Sequence, residues 1–343
     1  MKAMVLTAKD TPFQLMDVPD PVAGPGEAVA KVYTCGSGLT IQHSRAGRFN
    51  LQYPRIIGHE ITGEIVEVGE GVTDLKIGDG VTAYYYFSCG KCKWCKADRE
   101  TLCDNLKGNV GRDCDGGYAE YMKLPADMFM KYPEGLDWKK HPAECGVLKD
   151  AIATPVKVIR RARIEPGHDV AVIGAGGGLG IQMIIVAKWA GARVIAVDVR
   201  PEKFETCKKV GADETVDASS VDVTEALKEL TGGYGVDAAI DFAGTKSSME
   251  TALAGLNKAG RLVILGGAAS GIEIPGKLIK SEREVMGSKY ATRGEVRHAL
   301  ELAAKGEVWP LVNEIHPLEA AEELHQRLEQ GLVTGRAALK ICD

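Results

Sequence analysis

No apolar run in this sequence is long enough to cross a membrane, no stretch of it is basic, and no repeat or low-complexity segment interrupts it. The first lack excludes a helical span, which needs about 20 predominantly apolar residues in succession. The second, with a formal net charge of −5, argues against nucleic acid or an anionic membrane as the main partner. The opening residues, MKAMVLTAKD, carry neither the apolar core nor the cleavage site of a secretory signal, so a cytoplasmic location is expected. What is present is ordinary for a globular protein: 45% hydrophobic and 26% charged residues in a chain of 343. That length suggests about two domains. Nine cysteines without an export signal are expected to stay reduced. Four of them crowd into one short segment, which favours metal over disulfide.

The stretch from Asp169 to Arg200 is the most informative. A short apolar run, Val170 to Ile173, reads as a buried strand and breaks into glycines 174, 176, 177, 178 and 180. An apolar helical pattern then reaches Trp189, and a second buried strand, Val194 to Val197, ends on Asp198. Glycines at such a turn let the backbone approach a pyrophosphate, whose charge suits the free N–H groups and positive dipole end of the following helix. Ala175, Gly177 and Gly180 give A-x-G-x-x-G, with Gly176, Gly178 and Leu179 completing the turn. Asp198 lies near the roughly 20-residue spacing at which a carboxylate holds the adenine ribose hydroxyls and repels a 2′-phosphate. NAD(H) is therefore expected over NADP(H), although Arg200 could in principle hold a 2′-phosphate.

Residues 1–150 read as a β-rich domain, with short strand-like runs at Met4–Thr7, Ala28–Tyr33, Ile61–Val68, Val81–Tyr85 and Tyr118–Lys123. From about residue 150 strand and helix alternate, with further buried strands at Ala238–Asp241 and Leu262–Leu265, so 151–295 reads as a dinucleotide-binding domain. The tail, 296–343, reads as a helix and a strand returning to the first domain, with a ligand cleft expected between the two. Cys89, Cys92, Cys95 and Cys103 form C-x2-C-x2-C-x7-C. Four thiolates on one loop close a tetrahedral shell around Zn²⁺ and leave no open position, the mark of a structural site; an iron–sulfur cluster uses the same ligands.

With GHE at 58–60, the cysteine loop, DGGYAEY at 115–121, the dinucleotide stretch and GRAAL at 335–339, the chain resembles the zinc-dependent alcohol dehydrogenases of the medium-chain dehydrogenase/reductase superfamily. The resemblance runs end to end. It implies an α/β protein with a GroES-like β-rich catalytic domain and a Rossmann domain with a doubly wound parallel sheet. It also implies NAD(P)(H)-dependent interconversion of alcohol and carbonyl, and a dimer or tetramer. By the same resemblance a catalytic zinc would take His59 and Asp150, with Glu60 beside them. The family's cysteine ligand falls on Gly38, which cannot ligate, and its neighbouring acid on Ile41. Cys35 could substitute only through a register shift. Thr40 and His43 match the family's proton relay, Lys203 a ribose contact and Arg336 a pyrophosphate contact. The other cysteines read as structural thiols.

The expected function is NAD(H)-dependent oxidation of a secondary alcohol, or reduction of its ketone, with Thr40 and His43 moving the proton. His59, Glu60 and Asp150 would hold a weak zinc or line a metal-free pocket. Aromatic residues among 40–57, 85–88, 109–113 and 266–293, such as Phe49 and Tyr85, suggest a medium-sized, partly apolar or cyclic substrate; scattered arginines leave room for a coenzyme A-linked one. The alternatives are metal-independent chemistry on a conjugated C=C bond, and a cofactor-binding protein without turnover.

Overall fold

The computed structural model describes residues 1–266 and 271–343. Residues 267–270, part of the stretch expected to contribute to a substrate pocket, lie outside the described part. The chain divides into two units, residues 1–150 with 291–343, and residues 151–290.

Residues 151–290 build a six-stranded, all-parallel sheet in the order Glu214–Asp217, Arg193–Asp198, Asp169–Ile173, Val236–Asp241, Leu256–Ile264, Glu284–Gly287. Numbered within the unit, this is the 3-2-1-4-5-6 order of the Rossmann fold, which places a ligand at the carboxyl ends of the strands where the order reverses. The inner strands are continuous apolar runs because helices cover both faces of a parallel sheet. Val170, Ala171, Val172, Val194, Ile195 and Ala196 are fully buried.

In the other unit a seven-stranded sheet surrounds the long strand Glu27–Ser37, which pairs antiparallel with Glu60–Val68, Tyr121–Pro125 and Arg336–Lys340. The last of these sets Gly36 opposite Ala338 on one side, while Glu60 lies opposite Gly36 on the other. Residues from near the two ends of the chain thus flank one short segment, Gly36–Gly38. A smaller sheet pairs Lys2–Leu6 with Gln14–Asp17 and Arg55–Ile56.

The second boundary falls after residue 290, ahead of the position 295 read from the strand–helix alternation. The cause is the start of helix Arg293–Ala304. Thr292 and Glu295 form a capping box, the Arg293 N–H donates to Glu100, and the Tyr84 hydroxyl donates to the Ala291 carbonyl, so this helix is anchored in the unit built around Glu27–Ser37. Among the described residues, no helix is long and apolar enough to cross a membrane.

Candidate active site

At the nucleotide-binding turn, Gly174 has φ +75°, open to glycine and strained for other residues. A Cβ at Gly180 would stand 2.6 Å from the Ala175 carbonyl oxygen, so glycine is required for helix Gly180–Trp189 to pack this close to the strand. The Asp198 carboxylate closes the turn from the next strand, accepting from the Gly176 N–H at 2.8 Å and the Arg200 N–H at 3.1 Å. Each carboxylate oxygen keeps a second lone pair, so the capacity to accept from ribose hydroxyls is intact. Lys203 is buried against the turn, its Cβ 2.7 Å from where a Cβ on Gly176 would lie, and burial lowers its pKa against the pull of Asp198. A cavity of about 470 Å³ opens beside these groups, lined by Gly174, Asp198, Val199, Val223, Ala243 and Thr245. Cradle, dipole and acid fit a dinucleotide.

On the cysteine loop, sulfur–sulfur separations are 3.5 Å for Cys92–Cys95 and 4.0 Å for both Cys89–Cys95 and Cys92–Cys103. A tetrahedron of zinc–sulfur bonds of about 2.3 Å requires separations of about 3.8 Å, so the loop is already shaped to the ion. Backbone N–H groups support the sulfurs: Cys92 donates to Cys89 at 3.4 Å and Cys89 to Cys103 at 3.3 Å. Those of Lys91 and Cys92 hold the Cys89 thiol down to about 6. The donor set and spacing fit structural zinc.

The second centre is different. His59, Glu60 and Asp150 bring their ligand-type atoms within 4.8 Å of one another, all buried. His59 Nε2 lies 3.3 Å from Asp150 Oδ2. Both Glu60 oxygens, however, accept from Arg336, Nε at 3.0 Å and a terminal guanidinium nitrogen in a shorter contact. A terminal nitrogen of the same guanidinium lies 4.0 Å from Asp150. Lys149, wholly buried on the π-helical turn Leu148–Ile152 that also carries Asp150, brings a second cation to the cluster. Burial takes Lys149 down to about 8 against the pull of Asp150 and Glu60. Burial, then Lys149, takes His59 down to about 4, so its imidazole is neutral at pH 7. For Asp150, burial alone acts upward, but His59, Arg336 and Lys149 outweigh it and hold the carboxyl below its ordinary value. Two acidic side chains therefore stand close to two basic ones. A dication drawn to His59, Glu60 and Asp150 would compete with Arg336 for the Glu60 oxygens.

Arg336, read from the resemblance as a pyrophosphate contact, is buried and pairs with Glu60. The register shift considered for Cys35 is also absent, since Cys35 sits in the strand opposite Ile61 and Leu339, fully buried, its thiol pushed up chiefly by burial.

Thr40 and His43 lie on helix Leu39–Arg45, whose i, i+3 spacing puts them on one face, Thr40 exposed and His43 half-buried. Arg48 reaches His43 Nδ1 at 2.7 Å. An arginine only donates, so Nδ1 accepts and Nε2 carries the proton. Burial, then Arg48, lowers the His43 pKa. A wall of aromatic and cationic groups runs from His43 to the buried centre. The His43 ring meets Phe49 edge-on at 6.0 Å, the Arg112 guanidinium lies 4.0 Å from the Phe49 centroid, Arg112 hydrogen-bonds Tyr85, and the Tyr85 ring lies 4.4 Å from His59. Phe49 and Tyr85 were legible as aromatic candidates; Lys149 and the bridging place of Arg112 were not, because no motif marks them.

A second chain of hydrogen bonds crosses the same unit. Tyr118 links Ser37 at 2.5 Å to His325 Nε2 at 2.8 Å, His325 Nδ1 meets Gln42 Oε1 at 2.8 Å, and the Gln42 amide donates to Glu329 at 2.7 Å. The Gln42 oxygen can only accept, so His325 carries its proton on Nδ1 and accepts from Tyr118. Burial, then Arg45, takes His325 from 6.5 down to about 3. This contribution to stability is full above pH 6.5 and is lost as pH falls toward 3, because the unfolded chain takes up the proton first. The profile of unfolding free energy against pH of His325→Gln, from denaturant titrations, should therefore be shallower than that of the parent between those limits, by up to about 1.4 kcal/mol per pH unit. Parallel profiles would refute the neutral assignment.

Known families match in two parts. Residues 24–134 match the alcohol dehydrogenase GroES-like domain and residues 178–305 the zinc-binding dehydrogenase family. An alcohol dehydrogenase of Geobacillus stearothermophilus is 36% identical over 345 residues, covering 99% of each chain. A solved NAD-dependent alcohol dehydrogenase superposes with a TM-score of 0.91 at 31% identity, over 100% of both chains. The alcohol dehydrogenase of the archaeon Aeropyrum pernix superposes with a TM-score of 0.90 at 33% identity, over 99% of this chain and 100% of that one.

Proposed function

The chain belongs to the zinc-binding alcohol dehydrogenases with a GroES-like domain, and from that premise we propose that it is an NAD-dependent oxidoreductase interconverting a secondary alcohol and its ketone. The observation that carries the proposal is the glycine turn closed by Asp198 over a cavity of about 470 Å³. When bound, NAD supplies the hydride acceptor, and NADH the donor, at the nicotinamide ring. The protein's share is to bind, orient and move a proton. Gly174 to Gly180 take the pyrophosphate on backbone N–H groups, and Asp198, with Lys203 beside it, takes the adenine ribose. In this reading Thr40, exposed at the start of its helix, contacts a substrate oxygen, and His43 one turn on passes the proton to solvent. Phe49, Tyr85 and Arg112 supply an apolar wall with one cationic point, suited to a medium-sized, partly apolar substrate.

Asp198 is the residue to test. The parent should use NAD⁺ in preference to NADP⁺, and Asp198→Ala should lower kcat/KM for NAD⁺ by about tenfold, the worth of one hydrogen-bonded charge, while leaving NADP⁺ unchanged or improved. Equal use of both cofactors by the parent would remove the reading. A second reading, hydride transfer to a conjugated C=C bond, is favoured by one observation: the family's cysteine ligand position is Gly38, and that chemistry asks less of a Lewis acid. We place the protein in the cytoplasm as a homo-oligomer. Its nine cysteines, all free, suit a reducing compartment.

A further inference from the structure

Glycine at position 38 can be read as a missing ligand, but the structure gives it a use. A Cβ there would fall 2.8 Å from Arg336 Cζ, closer than real Cβ atoms come, and 3.0 Å from a terminal guanidinium nitrogen, so the guanidinium would have to shift. The guanidinium fills the space in which a side chain at 38 would begin. Gly36 serves the same ion pair: a Cβ on it would stand 3.0 Å from Glu60 Cβ and 2.6 Å from Val147 Cγ1, so the carboxylate crosses the strand only because position 36 is bare. Two glycines thus let an arginine from the last strand and a glutamate from the other flank meet over the central strand.

Charge leads to the same conclusion. The buried cluster sets Glu60 and Asp150 beside the Arg336 guanidinium, with Lys149 next to Asp150 on the same turn. Adding a dication would bring further positive charge up to that guanidinium where water cannot screen it. Without a thiolate, the ligands that remain are one imidazole, hydrogen-bonded to Asp150, and two carboxyl groups, of which Glu60 is paired with Arg336. We infer that this chain holds zinc only at the cysteine loop, and that the Arg336 guanidinium, seated where residue 38 would carry a side chain, is the resident cation of the His59–Glu60–Asp150 centre. A substrate oxygen near this centre then meets hydrogen-bond donors and fixed positive charge in place of a Lewis acid.

Zinc stoichiometry and the zinc X-ray absorption spectrum of the full-length protein, loaded with excess zinc and dialysed, test this. The expected result is about one zinc per chain in an all-sulfur shell at about 2.3 Å. Two zinc ions per chain, or a shell with a substantial share of nitrogen and oxygen, would overturn it. Gly38→Cys extends the test by offering the thiolate. That variant should still hold one zinc and melt below the parent, as should Gly38→Ala; a second zinc in Gly38→Cys at unchanged stability would show that the guanidinium is not the occupant. Turnover is scored separately, so an inactive protein with one all-sulfur zinc would count against the proposed reaction and leave this inference standing.

Discussion

Replacing Arg336 with alanine is expected to destabilise the protein by about 3–5 kcal/mol, the range observed when one partner of a buried ion pair is removed. The loss would come less from the missing attraction than from the Glu60 carboxylate left behind, 1% exposed and with no water to solvate it. Burial already raises the Glu60 pKa against the opposing pull of Arg336, so without the guanidinium the carboxyl would be protonated or expelled. Removing the charge should therefore recover part of the loss. Arg336→Ala combined with Glu60→Gln should be more stable than Arg336→Ala alone, with a coupling of at least about 1 kcal/mol in a double-mutant cycle. Thermal or denaturant unfolding of the four proteins measures it. Additive costs would mean that the two side chains do not act as a pair, and the charge balance drawn around Asp150 and His59 would fail with them.

The cysteine loop should respond as strongly. Cys92→Ser is expected to purify with less than about one tenth of the parent's zinc, since a structural site that loses one of four thiolates loses its closed shell. Around Trp94, away from the anchor at Glu100, the loop has little else to hold it. Cys92, Cys95 and Cys103 are only part-buried, and the helix Lys93–Lys96 between them buries no residue. Removing the ion should expose the loop to proteolysis near Trp94 and lower stability by several kcal/mol, as loss of a structural metal does elsewhere. Metal analysis with limited proteolysis would decide it, and a variant that keeps full zinc and the parent's resistance would exclude the four-sulfur site.

Much of this was legible because the relevant physics is local. The strand, glycine turn, helix and acid between Asp169 and Asp198 lie within one short stretch, and each has a period or residue type that few other arrangements satisfy. The cysteine spacing is equally local. The pair Glu60 and Arg336 was not legible as a pair, because its partners are 276 positions apart and meet only through strand order. Gly38 shows the limit most clearly. In sequence it registers as a ligand removed, whereas in space it is the room an arginine occupies. Lys149 carries no motif at all; only burial on the π-helical turn beside Asp150 shows its electrostatic weight.

The most direct measurement follows deuterium from NADH labelled at nicotinamide C4 into the product of a prochiral ketone, with a matched conjugated enone in a parallel reaction. Deuterium should appear on the carbinol carbon of the alcohol, in the presence of a zinc chelator as in its absence. Label found only at the β-carbon of the reduced enone, or in neither product across a panel of ketones, would contradict NAD-dependent alcohol–ketone interconversion by this chain.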